Sequence, residues 1–141
     1  MKQIDLLKRI TGIFEYKTID GDRKDQFVLL KSSPFTKVKG VLDKTQFEAT
    51  ENHVHIMDHI KKDEFDDVKT AAELIGKALI NNLKLCYPDR NFAVFATVKL
   101  YDSFIVRFHQ IWENEVPYYD EKLFTKANEC VYAFYSLRDK S

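Results

Sequence analysis

The most regular pattern in the chain is a run of apolar residues between residues 64 and 86 that recur at steps of three and four. This spacing puts apolar side chains on one side of an α-helix. Asp63 stands before the run as a capping residue, and Pro88 follows its end. The sequence therefore predicts a helix over residues 64–86 with a continuous apolar stripe.

Two runs with the periodicity of strands follow this helix. Apolar and polar positions alternate from residue 92 to 100 and again from 104 to 112, with the polar pair Asp102-Ser103 between the runs. Alternation of this kind is typical of strands that bury one face, and a short polar connection favours a tight turn. Residues 92–112 are therefore predicted to form a β-hairpin with one strongly apolar side.

Shorter patterns predict the remaining elements. These are helices at residues 2–11 and 120–137, and extended segments at residues 13–19, 27–30, 37–43 and 45–60. The last extended segment is interpreted either as one strand or as two strands broken near residues 51–52.

The predicted order of elements is α-β-β-β-(β)-α-β-β-α. Because most consecutive strands have no helix between them, the sheet of five to six strands should be mainly antiparallel. Helices at the N-terminus, in the middle (64–86) and at the C-terminus (120–137) would cover it, which gives an α+β fold of the two-layer sandwich type. Since 141 residues is the usual length of one domain, residues 1–141 are expected to form a single domain.

The balance of charges bears on nucleic-acid binding. Lys and Arg together number 22, as do Asp and Glu, so nucleic-acid binding is not expected without a basic excess. No run approaches the roughly 20 apolar residues that span a bilayer, and none has the pattern of a signal peptide. Cys86 and Cys130 fall on apolar faces of the predicted helices, which suits buried thiols in a reducing compartment. The expected location is cytoplasmic, with no membrane contact.

A histidine-rich segment is a weak candidate for a metal site. His53, His55 and His59 would share one face of a strand, because side chains alternate with period two, and His109 on the predicted hairpin would add a ligand if the strands were neighbours. However, His55 and His59 would lie about 13 Å apart on an extended strand, too far to share one ion. Asp58 would point to the opposite face. Only the His53–His55 pair has usable spacing.

Other signatures of catalysis are missing from the sequence. There is no Gly-x-Ser-x-Gly motif, and the four glycines are isolated, so they form no phosphate-binding loop. Neither cysteine stands in the polar helix-start setting that is typical of reactive thiols. An enzyme is therefore the less favoured class, and no cofactor is expected. A metal-dependent enzyme that uses His53, His55 and His109 is kept as an alternative.

The segment from Trp112 to Glu121 is the strongest candidate for a binding surface. It combines aromatic residues with four carboxylates in a loop that leaves the hairpin. Aromatic side chains supply large contact area at interfaces, and carboxylates attract a basic partner. The predicted partner-binding residues are Trp112, Glu113, Glu115, Tyr118, Tyr119, Asp120 and Glu121. The alternative is that Trp112 and Tyr118 pack into the core while the acids only solvate the loop.

The predicted order of elements resembles two groups of small bacterial domains. One group is the immunity proteins that neutralise a cognate toxin, and the other is the secretion chaperones that pair into dimers. The resemblance concerns element order alone and implies no site residue. It supports the hypothesis of a non-enzymatic protein-binding domain, such as an immunity or inhibitor protein with a basic protein partner. A dimeric adaptor similar to the secretion chaperones is the alternative, and it would form a homodimer.

Overall fold

The computed structural model describes residues 14–138, so the helix predicted at residues 2–11 lies outside the described part. Six strands and two α-helices occur within it. The strands are β1 (Tyr16–Asp20), β2 (Gln26–Leu30), β3 (His53–Asp58), β4 (Phe92–Lys99), β5 (Ser103–Gln110) and β6 (Glu129–Ser136), and the helices are α1 (Lys44–Glu51) and α2 (Phe65–Cys86).

The strands build two antiparallel sheets. Strands β3, β5, β4 and β6 form a four-stranded sheet in that order, and β1 pairs with β2 in a separate hairpin. The predicted α+β class is confirmed, but the prediction of a single sheet of five to six strands is wrong, because the six strands are divided between two sheets. The order over the described residues is β-β-α-β-α-β-β-β. Residues 37–43, predicted as extended, contribute only one bridge, from Lys37 to Asp20. Among residues 14–138, no helix combines the length and the apolar character needed to cross a membrane.

Helix α2 covers one face of the four-stranded sheet and confirms the helix predicted at residues 64–86. Its apolar stripe packs mainly against the even-numbered residues of β4 and β6, and the even-numbered residues of β5 belong to the same core. Gly76 lies where α2 meets β6, and a β-carbon at this position would come 2.5 Å from the ring of Phe134. This close approach explains a glycine in the middle of a long helix.

The extended segment predicted over residues 45–60 is wrong in its first half, where α1 forms instead. Asp43 caps this helix by accepting a hydrogen bond from the Gln46 amide at 2.9 Å. The buried face of α1 includes the polar side chains of Thr45 and Glu48. An apolar stripe is therefore absent from α1, and the strand periodicity of the following residues was extended too far towards the N-terminus.

The C-terminal helix predicted at residues 120–137 is also wrong. Only a 3₁₀ turn forms at Glu121–Leu123, and β6 then pairs with β4 without a register shift. Cys130 and Phe134 pack on the α2 side, whereas Tyr135 contacts the opposite side of the sheet. A strand with apolar side chains on both faces also places some of them three and four residues apart, and this spacing imitates a helix.

The β1–β2 hairpin is joined to the larger sheet by side chains instead of a strand ladder. Asn52 accepts a hydrogen bond from the Leu30 amide at 2.8 Å and donates one to the Val28 carbonyl at 2.9 Å. Glu48 accepts a further bond from the Val28 amide at 2.9 Å. Because buried backbone groups need partners, these two side chains take the place of a neighbouring strand along β2.

Candidate functional site

The second face of the four-stranded sheet is covered by residues 111–128, the connection between β5 and β6, which we call the covering loop. Phe95 of β4 and His109 of β5 point to this side and are 0% and 1% exposed. The Phe95 ring contacts His109, Tyr119 and Tyr135 at centroid distances of 5.7, 5.3 and 6.2 Å. Aromatic rings therefore fill the space that α2 fills on the other face.

Trp112, at the start of the covering loop, is tied to a buried carboxylate. Its indole N–H donates to Glu48 at 2.7 Å, and its ring packs on Phe27. Glu48 is fully buried and also accepts hydrogen bonds from the Gln110 backbone and side chain and from the Val28 amide. Burial raises the pKa of Glu48 to about 7, although the four donors act in the opposite direction. This carboxylate joins β2, α1, β5 and the covering loop.

Glu115 fastens the covering loop to the start of α1. Its carboxylate accepts hydrogen bonds from the Thr45 hydroxyl at 2.6 Å, the Thr45 amide at 2.7 Å and the Lys44 amide at 3.2 Å. Partial burial raises the pKa of this carboxyl, but the hydrogen bonds from Thr45 and Lys44 outweigh burial and leave the pKa below its ordinary value. With Asp43 bound to the Gln46 amide, the first three amides of α1 are satisfied.

Tyr118 and Tyr119 hold the guanidinium group of Arg107 against the sheet. The guanidinium carbon lies 4.6 Å from the centroid of the Tyr118 ring and 5.4 Å from that of the Tyr119 ring. Nη1 of Arg107 donates to the Ala49 carbonyl at 3.3 Å. Contacts of this kind between a cation and aromatic faces are stabilising when partly desolvated. The two half-buried tyrosines therefore belong to the layer that covers the sheet, with part of each ring open to solvent.

A buried histidine on β5 binds the covering loop to the sheet. Nδ1 of His109 donates to the Gln110 carbonyl at 2.7 Å, so Nε2 carries the lone pair that accepts the Tyr118 amide at 3.1 Å. Burial lowers the pKa of His109, which favours this neutral form. Protonation of Nε2 would place its N–H against the N–H of Tyr118, and this hydrogen bond between the loop and the sheet would be lost.

The other residues predicted to contact a partner lie at the surface. Glu113, Asp120 and Glu121 are exposed, and Glu121 accepts a hydrogen bond from the Tyr135 hydroxyl at 2.9 Å. Partial burial and this carboxylate raise the pKa of Tyr135 to about 12. Val116, which the sequence pattern did not single out, is 81% exposed at the tip of the loop.

Two cavities open beside the loop tip and share Val116, Pro117 and Tyr119. The larger, of about 610 Å³, lies between the loop and the start of α1, and the smaller, of about 420 Å³, lies between the loop and β6. The described residues that line them include no Lys or Arg but four carboxylates, from Asp43, Glu115, Asp120 and Glu121. The surface around the loop tip is therefore both acidic and partly apolar.

Residues 20–135 match the model of the family described as the Uncharacterized protein PM0498 family. The chain belongs to this family. No curated protein and no solved structure matches the chain. The stretch matched by the PM0498 family model runs from the last residue of β1 into β6 and contains the covering loop and both cavities.

The same stretch contains all four histidines, of which the structure brings two together. His53 and His55 are exposed neighbours on β3 with ring centroids 5.5 Å apart. His59 follows the strand in a left-handed backbone conformation with φ 55°, and His109 has both ring nitrogens in hydrogen bonds. Within residues 14–138, no three side chains of His, Cys, Asp or Glu are grouped so that they could hold a metal ion.

The two cysteines differ from the expectation in different ways: Cys86 lies on the predicted helix but is not buried, and Cys130 does not lie on a helix. Cys86 is exposed at the end of α2, and Cys130 is half-buried on β6, a strand. Both thiols are free. The prediction that both cysteines are buried on helix faces is therefore wrong.

Two residues that organise the site were missed by the sequence interpretation. Arg107 occupies an odd-numbered position of β5, so the alternation of that strand already placed it on the face opposite α2. That signal was available. Glu48 gave none, because it lies in the segment that was interpreted as a strand, and a lone carboxylate has no pattern that predicts burial.

Proposed function

We propose that this chain is a non-enzymatic protein-binding domain that contacts a basic partner through the surface around the loop tip. The observation that carries the proposal is the exposed pair Val116-Pro117, which stands between two cavities lined by four carboxylates. An apolar centre surrounded by charge is the usual arrangement of a specific protein interface. The carboxylates would attract basic residues and determine which partner fits.

The roles assigned to the loop residues change with their surroundings. Trp112 and Glu115 are engaged within the protein, so they hold the loop in place and leave contact with the partner to others. Contact falls to the exposed residues Val116, Glu113 and Glu121, together with the open parts of the tyrosine rings. A loop held in this way loses little conformational entropy when it binds, which favours affinity.

An immunity or inhibitor protein is the specific form of binding domain that we propose. A toxin that acts on nucleic acid carries a basic surface, because it must neutralise phosphates, and an acidic protein surface would compete for it. The resemblance in element order gives this form little support, because the predicted C-terminal helix is a strand. Its main support is the acidic surface around the loop tip.

The partner is best sought as the product of the adjacent reading frame. Purified full-length chain is expected to bind that protein with an affinity that weakens as salt rises, because the contact is partly electrostatic. Val116→Arg should reduce binding by tenfold or more. Leu85→Arg is the matched control, since Leu85 is an aliphatic residue of similar exposure, 80%, on α2.

Charge reversal gives a second, independent comparison. Glu121→Lys should weaken binding, whereas Asp89→Lys, at an exposed acidic residue after α2, should not. Equal effects of Glu121→Lys and Asp89→Lys would exclude the loop surface as the binding site. All four variants are compared at equal thermal stability, so that loss of folding is not read as loss of binding.

A dimeric adaptor remains the second candidate, and the edge strand β6 favours it. Among the described strands β6 pairs with β4 alone, and six of its eight residues are apolar or aromatic. Long apolar edge strands tend to pair with another strand. Sedimentation of the full-length chain should then show a dimer that Val131→Lys dissociates. A monomer at high micromolar concentration would contradict the adaptor.

A further inference from the structure

The exposed edge of the sheet carries two histidines at a distance that suits a shared ligand. His53 and His55 project from one face of β3, which is the edge strand next to β5, and their ring centroids are 5.5 Å apart. Two imidazoles that bind one ion through nitrogen at about 2.0–2.1 Å have centroids about 5 to 5.5 Å apart. The separation of the two rings is therefore within the range that a common metal ion allows.

Both rings are also oriented through the same nitrogen. Nδ1 of His53 lies 2.5 Å from the Thr50 carbonyl oxygen, and Nδ1 of His55 lies 3.4 Å from the Asp58 carboxylate. Since carbonyl and carboxylate oxygens only accept, Nδ1 carries the proton and Nε2 keeps its lone pair. Neither Nε2 has a hydrogen-bond partner among the described residues. Histidines that bind metals are commonly oriented in this way.

A bulge in β3 supplies the carboxylate beside His55. Strict alternation would turn Asp58 away from His55, as the sequence interpretation assumed. The register of β3 against β5 shifts between His55 and Met57, so that Met57 packs on the core and Asp58 contacts the His55 ring. A bulge re-aims the side chains that follow it, and here it brings a negative charge to the histidine face.

Two groups beside the pair favour a cation, and one group opposes it. The Thr50 carbonyl belongs to the last turn of α1, where the carbonyl groups carry partial negative charge, and Asp58 adds a carboxylate. The opposing charge is Arg107, which pairs with His53 in the register of β3 and β5. Its guanidinium group is turned to the Ala49 carbonyl and the Tyr118 ring.

We propose that His53 and His55 form a two-histidine site for a first-row divalent metal ion. Neutral imidazoles suit Zn²⁺, Ni²⁺ and Cu²⁺, and the Irving–Williams order makes Cu²⁺ the tightest of them. Asp58 is a positioning residue that orients His55. Water, or a donor atom of a bound partner, completes the coordination. The site shares no residue with the loop surface, and the proposal does not depend on the function proposed for that surface.

The first test is calorimetric titration of the full-length chain with CuCl₂ and, separately, with ZnCl₂. One ion should bind per chain, more tightly for Cu²⁺. Replacement of either ligand, His53→Gln or His55→Gln, should weaken binding by about tenfold or more. His59→Gln is the matched control, because His59 is an exposed histidine just beyond the same strand, and it should leave the affinity unchanged. Equal losses in all three variants, or no binding, would overturn the proposal.

A spectroscopic measurement separates this site from any other copper ligand of the chain. Substoichiometric Cu²⁺ should broaden the NMR signals of His53 and His55 at a lower concentration than those of His59 and His109. Asp58→Asn should weaken Cu²⁺ binding several-fold without changing which signals broaden, because it alters the orientation of one ligand. Broadening that begins at other residues would contradict the assignment.

Discussion

The two faces of the four-stranded sheet are closed in different ways. On one face, the apolar residues of α2 pack over β4 and β6 along about six turns of the helix. On the other face, the covering loop contributes a few aromatic rings and is fastened at three polar points, Glu48, Glu115 and His109. The first closure rests on apolar area, and the second rests on individual hydrogen bonds.

This difference determines how each face responds to change. Apolar area is shared among many side chains, so one substitution on the α2 face removes only a part of it. A buried carboxylate with four donors is a single point whose loss leaves every donor without a partner. The face covered by α2 should therefore tolerate single substitutions better, whereas the stability of the face covered by the loop depends on a few residues.

The largest effect is expected when the carboxylate at the centre of the polar closure is removed. Glu48→Ala leaves the Val28 and Gln110 amides and the Trp112 indole N–H without their acceptor. We expect the free energy of unfolding to fall by about 3–5 kcal/mol, measured by urea denaturation. Glu51→Ala on the same helix should cost less than about 1 kcal/mol, since Glu51 is only partly buried. Similar losses in the two variants would mean that Glu48 is not a central contact.

A smaller loss is expected from crowding the regular face. Gly76→Ala would place a β-carbon 2.5 Å from the Phe134 ring, so this ring or the edge strand β6 must move away from α2. Overpacking of this kind costs about 1–3 kcal/mol, although alanine by itself favours the helix by up to about 1 kcal/mol. Phe134→Leu in the same chain should restore most of the loss in thermal denaturation. A Gly76→Ala protein as stable as the original would show that the packing between α2 and β6 can accept a methyl group.

How much could be predicted from the sequence follows the same division. Helix α2 and the β4–β5 hairpin could be predicted because each buries one apolar face, which leaves a clear periodic pattern in the sequence. Helix α1 buries Glu48 and Thr45, and β6 is apolar on both faces, so neither carries the periodicity of its true structure. The gathering of aromatic and acidic residues in the loop is visible in the sequence. Which of them point outwards depends on hydrogen bonds between residues far apart in the sequence, such as Glu115 and Thr45, which are 70 positions apart.

A loop anchor tests whether the polar points act on the loop or on the whole fold. Glu115→Gln should lower the free energy of unfolding by about 1–2 kcal/mol, because the first amides of α1 lose a charged acceptor. The variant should also increase the rate of hydrogen exchange at the Tyr118 amide, and this increase should be larger than at the amides of β4, which α2 covers. Glu113→Gln, at an exposed residue of the same loop, is the control and should change neither quantity. Faster exchange under α2 as well would indicate that the two faces unfold together.

The smallest effect concerns pH, because two buried groups of the loop face act in opposite directions. The pKa of Glu48 is raised from 4.5 to about 7, so the folded chain takes up a proton that the unfolded chain does not, and stability falls as pH rises through this window. The pKa of His109 is lowered from its ordinary value of 6.5, mainly by burial, so acidification below that value favours the unfolded chain, and stability rises with pH. In the unaltered protein the two changes of stability with pH partly cancel.

His109→Gln should remove the change that is due to His109 and leave the one due to Glu48. Stability should then decrease from pH 4.5 to 7 in a series of urea titrations. His59→Gln, at an exposed histidine, should keep the flatter profile, and matching profiles in the two variants would refute the assignment of the rising slope to His109.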